Sequence, residues 1–196
     1  QKSIMSLVTA NNLINTWNLN GGSLDATFVS TVQGLFSDIN AVYSLPNITG
    51  LGDEAITLED TNLTANQLNA LDGITSGTIN ASSINTLTGS TADLNTAYAS
   101  GGISNLGNEA VTLTDTSLTA SVLNALDGNT SGTVNATAVN TLTGSAADLN
   151  TTYASTGISN LGDENVTVDN GSASPSQANI LAAATSGVVT ATISDG

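Results

Sequence analysis

The residues best placed to do chemistry are acids in glycine-rich turns. LDGITSG, from Leu71 to Gly77, carries Asp72 into such a turn, and LDGNTSG, from Leu126 to Gly132, does the same with Asp127. The interval between the two is 55 in residue number. A carboxylate there, surrounded by backbone carbonyls, is the raw material of a metal loop or a catalytic turn. Other acids recur at the same interval: Asp38, Asp93 and Asp148 form one series, and DE at 53–54 and 163–164 becomes NE at 108–109. Calcium held between stacked coils is one reading of this ladder, because carboxylate and carbonyl oxygens suit that ion. The other is a solvated acidic face. Equivalent acids two strand spacings apart lie about 10 Å from one another. In water their repulsion is only about 0.4 kcal/mol per pair before salt screening. No cation is needed to hold such a ladder, and no loop has the ligand order of an EF-hand. The residues therefore assign no catalytic, cofactor-binding or metal-binding position, and calcium stays open as an alternative.

Three further patterns have a chemical and a plain reading. Tyr43, Tyr98 and Tyr153 share one position of the repeat interval. They would make an aromatic binding stripe, or pack between successive helices with the hydroxyl in solvent, as the amphipathic ring favours. Thr57 and Thr112 sit on an exposed strand face, where a regular threonine array could order water. Their register is shared with Glu59 and Thr114, and threonine is in any case a good residue for an exposed strand face. The eight N-x-[ST] triplets, Asn62, Asn80 and Asn135 among them, are about what chance gives in a chain this rich in Asn, Ser and Thr.

Composition removes whole classes of function. One Lys+Arg against 16 Asp+Glu leaves a net charge of −15. Nucleic acid needs a basic footprint and anionic membranes need basic clusters, so neither is a partner. With no His and no Cys, the Ser-His and Cys-His nucleophile systems and the common zinc sites are absent from the chain. No stretch is long and apolar enough to insert in a membrane. Aromatics are 3% of residues, so any core is aliphatic. The carboxylates are spread along the chain rather than converging, so an enzyme and a small-molecule substrate are not expected.

What positions these residues is a repeat. LGDEAITLEDT from Leu51, LGNEAVTLTDT from Leu106 and LGDENVTV from Leu161 are spaced by 55, as are TLTGSTADLNTAYAS from Thr86 and TLTGSAADLNTTYAS from Thr141. TVQGLFSDINAVYS from Thr31 is a weaker copy. The divisions are 1–50 as a degenerate first repeat, 51–105, 106–160, and 161–196 as a partial last one, all in one continuous domain and expected to be an excerpt of a longer array. Each repeat reads as two strand-helix coils. AITLED (55–60) alternates as a half-buried strand does. Thr64 then caps a helix, with Gln67 completing a capping box. The same position is Thr9, Thr119 and Ser174, the last followed by Pro175 at the helix start and by Gln177. The second coil opens with a short strand in GTINA (77–81), continues with a short helical segment in SSINTLTG, and ends in a helix over 90–100 capped by Ser90 and Asp93. GGISNLG leads to the next strand.

Strands joined by helical crossovers pair in parallel, and the crossovers are right-handed. The expected fold is α/β: an open right-handed solenoid of 55-residue repeats, with a parallel sheet covered by helices on one face. Its strand-to-strand steps alternate between roughly 23 and roughly 32 in residue number, each long enough for a helical crossover. A parallel β-helix is the alternative. In this register Asp72 aligns with Asp127, Ala182 and Trp17, whereas Gly77 aligns with Gly22, Gly132 and Gly187. The repeat demands the glycine, for positive φ or close backbone approach, and not the acid.

The run LDGITSGTINASSINTLTGSTADLNTAYASGGISNLGNEAVTLTDT resembles repeats of very large secreted or surface proteins of cyanobacteria, hemolysin-like chains that often carry calcium-binding nonapeptides elsewhere. VTVDNGSASPSQANILAAATSGVVTATISDG looks like a variant of the same repeat, and related repeats occur in cyanophage structural proteins. This chain has no GGxGxD run, and NGGSLD at 20–25 only approximates one. The resemblance implies an extracellular or cell-surface setting. The expected function is a structural segment of a fibre, filament, sheath or adhesin, self-associating by stacking of repeats. The alternatives are a calcium-dependent surface binding module and a phage fibre or virion component.

Overall fold

Helices begin where side chains can hold their first amides. Thr64 Oγ1 accepts from Gln67 N, and the Gln67 side chain returns a bond to the Thr64 amide, closing a capping box. Ser174 closes a second box with Gln177, with Pro175 filling the first turn, while Thr9 and Thr119 accept from Asn12 N and Val122 N without the returning bond. Ser145 caps its helix through Asp148 N, and Ser90 bonds Asp93 N. The cap series read in the sequence is therefore present at every position it named.

The computed structural model describes residues 7–169 and 171–194; Lys2, the single basic residue, lies outside them. In chain order the elements are β1 Leu7–Thr9, α1 Ala10–Leu19, β2 Leu24–Asp25, β3 Thr31–Gly34, α2 Phe36–Ser44, β4 Ile48–Thr49, β5 Ala55–Leu58 and β6 Asn62–Thr64. Next come α3 Ala65–Asp72, β7 Ile79–Asn80, β8 Thr86–Gly89, α4 Thr91–Ala99, β9 Ile103–Ser104, β10 Ala110–Leu113 and β11 Ser117–Thr119. The last are α5 Ala120–Asp127, β12 Val134–Asn135, β13 Thr141–Gly144, α6 Ala146–Ala154, β14 Ile158–Ser159, β15 Asn165–Val168, α7 Pro175–Ala184 and β16 Val189–Thr190.

The fold is α/β with parallel sheets and seven helices among the described residues. Two compact units divide it. In one, Gln1–Asn85 with Thr96–Leu106, strands β1, β3, β5, β7 and β9 pair in that order, and β2 pairs with β4. In the other, Thr86–Asn95 with Gly107–Gly196, β8, β10, β12 and β14 pair in succession, as do β11, β13, β15 and β16. The registers are narrow: Thr31 stands opposite Ala55, Ile56 opposite Ile79, and Ile79 opposite Ile103. Every step is thus of the shorter expected kind, and the longer kind does not occur between these partners. The longer interval is split by a strand of its own, β9 or β14, which pairs before the chain reaches the next repeat.

Ser82–Gly89 corrects the expected short helix. It holds an Asx turn, with Ser82 N donating to Asn80 Oδ1 at 3.1 Å, followed by strand β8. Thr-Leu-Thr-Gly alternates, which buries Leu87 and turns its neighbours outward, and the four residues pair with Ala110–Leu113. The helices also set aside a pure parallel β-helix. The core is the aliphatic set foreseen from composition: Ile56, Leu58, Leu68, Leu71 and Ile79 in one unit, Leu87, Leu123, Leu126, Leu142 and Leu149 in the other, all fully buried.

Candidate functional site

Each turn-and-strand joint is built from the same three residue types. Glu54, Glu109 and Glu164 are each 1% exposed, a rare state for a carboxylate. Gly52, Gly107 and Gly162 hold positive φ values of 126°, 120° and 133°, which aims their amides at the following glutamate. The resulting bonds to Oε2 are 2.8, 2.9 and 2.8 Å, and Asn108 N and Asp163 N add longer ones. Among the described residues no arginine or lysine is present, and backbone N–H groups are the donors to these carboxyl groups.

The TSG triplet closes on this loop. Thr75, Thr130 and Thr185 are buried, and each hydroxyl donates to the main-chain carbonyl of Glu54, Glu109 or Glu164 at 2.7 Å. The same hydroxyl accepts from Gly77, Gly132 or Gly187 N at 2.9–3.0 Å. Ser76, Ser131 and Ser186 bond the carbonyls of Gly52, Gly107 and Gly162 through amide and hydroxyl. Gly77 has no positive φ; close approach is its reason. A Cβ there would penetrate the Glu54 carbonyl and lie 2.8 Å from Ala55 N. Gly132 and Gly187 meet Glu109 and Glu164 in the same way.

The acid that opens the turn has a different task. Asp72 Oδ2 accepts from Ser100 Oγ at 2.7 Å, and that hydroxyl accepts from Gly102 N at 3.0 Å. Asp127, Ser155 and Gly157 repeat the arrangement. At the aligned position in the first copy, Trp17 Nε1 donates to Pro46 O at 2.9 Å. A helix end is thus tied to a later loop by unlike chemistry in different copies. The position is less idle than its variability implies.

Several of the other acids accept from internal donors. Asp60 Oδ2 accepts from Phe36 N at 2.6 Å and Asp115 Oδ2 from Thr91 N at 2.7 Å, each at the first amide of a helix. Asp148 bonds Ser145 Oγ, and Glu59 accepts from Gln33 Nε2. Among the described residues no group of three or more acids is gathered as a metal site would need.

The tyrosines differ from expectation. Tyr153 Oη is engaged within the protein, donating to Glu164 Oε1. Burial, then the bond and charge of Glu164, raise the phenol's pKa far above its ordinary value. In the first copy Tyr43 Oη and Glu54 Oε1 are both buried without a hydrogen-bond partner. Sequence reasoning passed over the glutamates because Asp53 and Asp163 beside them suggested a surface pair. The available signal was that Glu persists at 54, 109 and 164 while its neighbour changes to Asn108.

Two shallow grooves lie among the described residues. One, of about 370 Å³, is lined by Thr137, Asn160, Leu161, Gly162 and Asp163, and the other, of about 360 Å³, lies between α6 and α7. Neither brings together a nucleophile and a base. No helix is long and apolar enough to cross a membrane among the described residues. No family model matches the chain, and neither a curated protein nor a solved structure matches it.

Proposed function

We propose that the chain is a structural segment: an open right-handed solenoid of 55-residue repeats that serves in an extracellular or cell-surface fibre, filament, sheath or adhesin and self-associates through its strands. The observation that carries this reading is the glutamate–threonine–glycine clamp, present with the same atoms at 54/75/77, 109/130/132 and 164/185/187. Its polar groups are spent on holding one coil to the next. The acids follow suit, capping helices and tying loops instead of facing a common cleft. The scarcity of basic residues also leaves trypsin almost nothing to cut, which suits exposure outside a cell.

Negative-stain microscopy of the purified chain, with light scattering over a range of concentrations and salt, tests the proposal. Rods that lengthen into filaments are expected. Monodisperse particles under every condition would count decisively against self-association.

A further inference from the structure

We infer that Asn20 is a site of spontaneous covalent modification: the main-chain amide of Gly21 closes on its side chain, giving a succinimide that water opens to aspartate and isoaspartate. The inference is independent of the self-association just proposed.

The site is the repeat's joint without its clamp. At 55-residue intervals Asn20-Gly21-Gly22 aligns with Thr75-Ser76-Gly77, Thr130-Ser131-Gly132 and Thr185-Ser186-Gly187. In those three copies the threonine is buried, and threonine and serine together bond an earlier loop. Asn20 is instead exposed at the C-cap of α1, and its side chain holds no hydrogen bond among the described residues. Its main-chain amide alone is tied down, to Thr16 O at 3.0 Å. The amide that must attack is weakly held: Gly21 N donates to Asn18 O at 3.3 Å, against 2.7–2.8 Å for Ser76, Ser131 and Ser186 N in the clamped copies. Ring closure requires Asn20 to leave its ψ of 17°. Room for that turn is present, since a Cβ on Gly21 would meet nothing within 4 Å.

The chemistry needs only water. Gly21 N gives up its proton and attacks Asn20 Cγ. The N–Cγ bond forms, the Cγ–Nδ2 bond breaks, and Nδ2 leaves with a proton as ammonia. Water then cleaves the ring at one of two carbonyls. Opening at Cγ gives aspartate; opening at the main-chain carbonyl gives isoaspartate, with one extra carbon in the backbone. Either product adds a negative charge to a chain already at −15, and sets it at the negative end of the α1 dipole. Glycine permits the attack because it has no β-carbon to crowd its amide. Asn80, Asn105, Asn135 and Asn160 precede Ala or Leu instead, and their side chains bond one another in pairs. Asn170, which also precedes a glycine, lies outside the described residues.

The full-length chain, held in warm, mildly alkaline buffer and sampled over weeks, provides the test. Peptides cut at acidic residues separate Asn20 from Asn170, and mass spectrometry with chromatography resolves the aspartyl and isoaspartyl forms. Conversion at Asn20 in the folded chain should run within about tenfold of its rate in the urea-unfolded chain, because the joint is already open. Gly21→Ala should slow it at least about tenfold, in urea as well, where the fold plays no part. A folded rate further below the unfolded one, an unchanged rate in Gly21→Ala, or aspartate without isoaspartate overturns the inference.

Discussion

Gly77 and Asp72 stand in one short stretch and answer different demands. A side chain at 77 collides with main chain that cannot swing away, whereas an amide at 72 still accepts from Ser100. Gly77→Val should cost about 3 kcal/mol, at the upper end of overpacking penalties. Asp72→Asn should cost under about 1 kcal/mol, the difference between a charged and a neutral acceptor. Thr75→Val keeps the shape but strands the Glu54 carbonyl and the Gly77 amide, for about 2 kcal/mol. Urea denaturation of the three variants checks the ranking, and equal losses for Gly77→Val and Asp72→Asn would refute it. The clamp was not legible beforehand because the Glu54 joint is closed by Thr75, on the far side of helix α3. Nothing in the letters DE distinguishes a buried acid from a surface one.

Tyr153 gives the same joint a dependence on alkaline pH. Up to about pH 9 the phenol is neutral in folded and unfolded chains alike. Above that, the unfolded chain loses the proton while burial and Glu164 keep it on the folded one. The unfolded state then binds fewer protons, so stability falls as pH rises from about 10. Tyr153→Phe should be less stable at neutral pH and should lose part of that alkaline slope. Thermal melts from about pH 8 to 11 measure both effects, and an unchanged slope would discount the raised pKa.

Helix starts were more legible than short strands, for a physical reason. A cap needs one of a few side chains at one position, and Thr9, Thr64, Thr119 and Ser174 announce it. The short strand in GTINA was read and is Ile79–Asn80, but Thr86–Gly89 of β8 was taken for a helix. The cross-strand caps were equally hidden, because Asp115 serves a helix whose first amide, Thr91 N, lies well before it in the chain. Asp115→Ala should uncap α4 and cost about 1 kcal/mol, comparable to Thr119→Ala at α5. A loss well below that in urea titration would mean that water replaces the carboxylate at no cost.

Over the chain as a body, acids outnumber basic residues 16 to 1, and their local bonds leave the long-range repulsion in place. Raising NaCl to about 0.5 M should therefore raise the melting temperature by a few degrees. Calcium at a few millimolar should do no more than magnesium at equal ionic strength, since the described acids are not gathered into a group that could hold an ion. A calcium-specific rise would restore the metal reading of the acidic ladder.

The clamps also decide how the chain would behave as a tether. Ser76 to Gly52 and Thr75 to Glu54 each close a loop, and the other two clamps close loops of the same size. Under a pulling force, each closure that gives way frees only its own loop, roughly 80 Å of extended chain. Load would then be shed in small, repeatable, re-formable increments: the mechanics of a shock absorber, written in threonine hydroxyls.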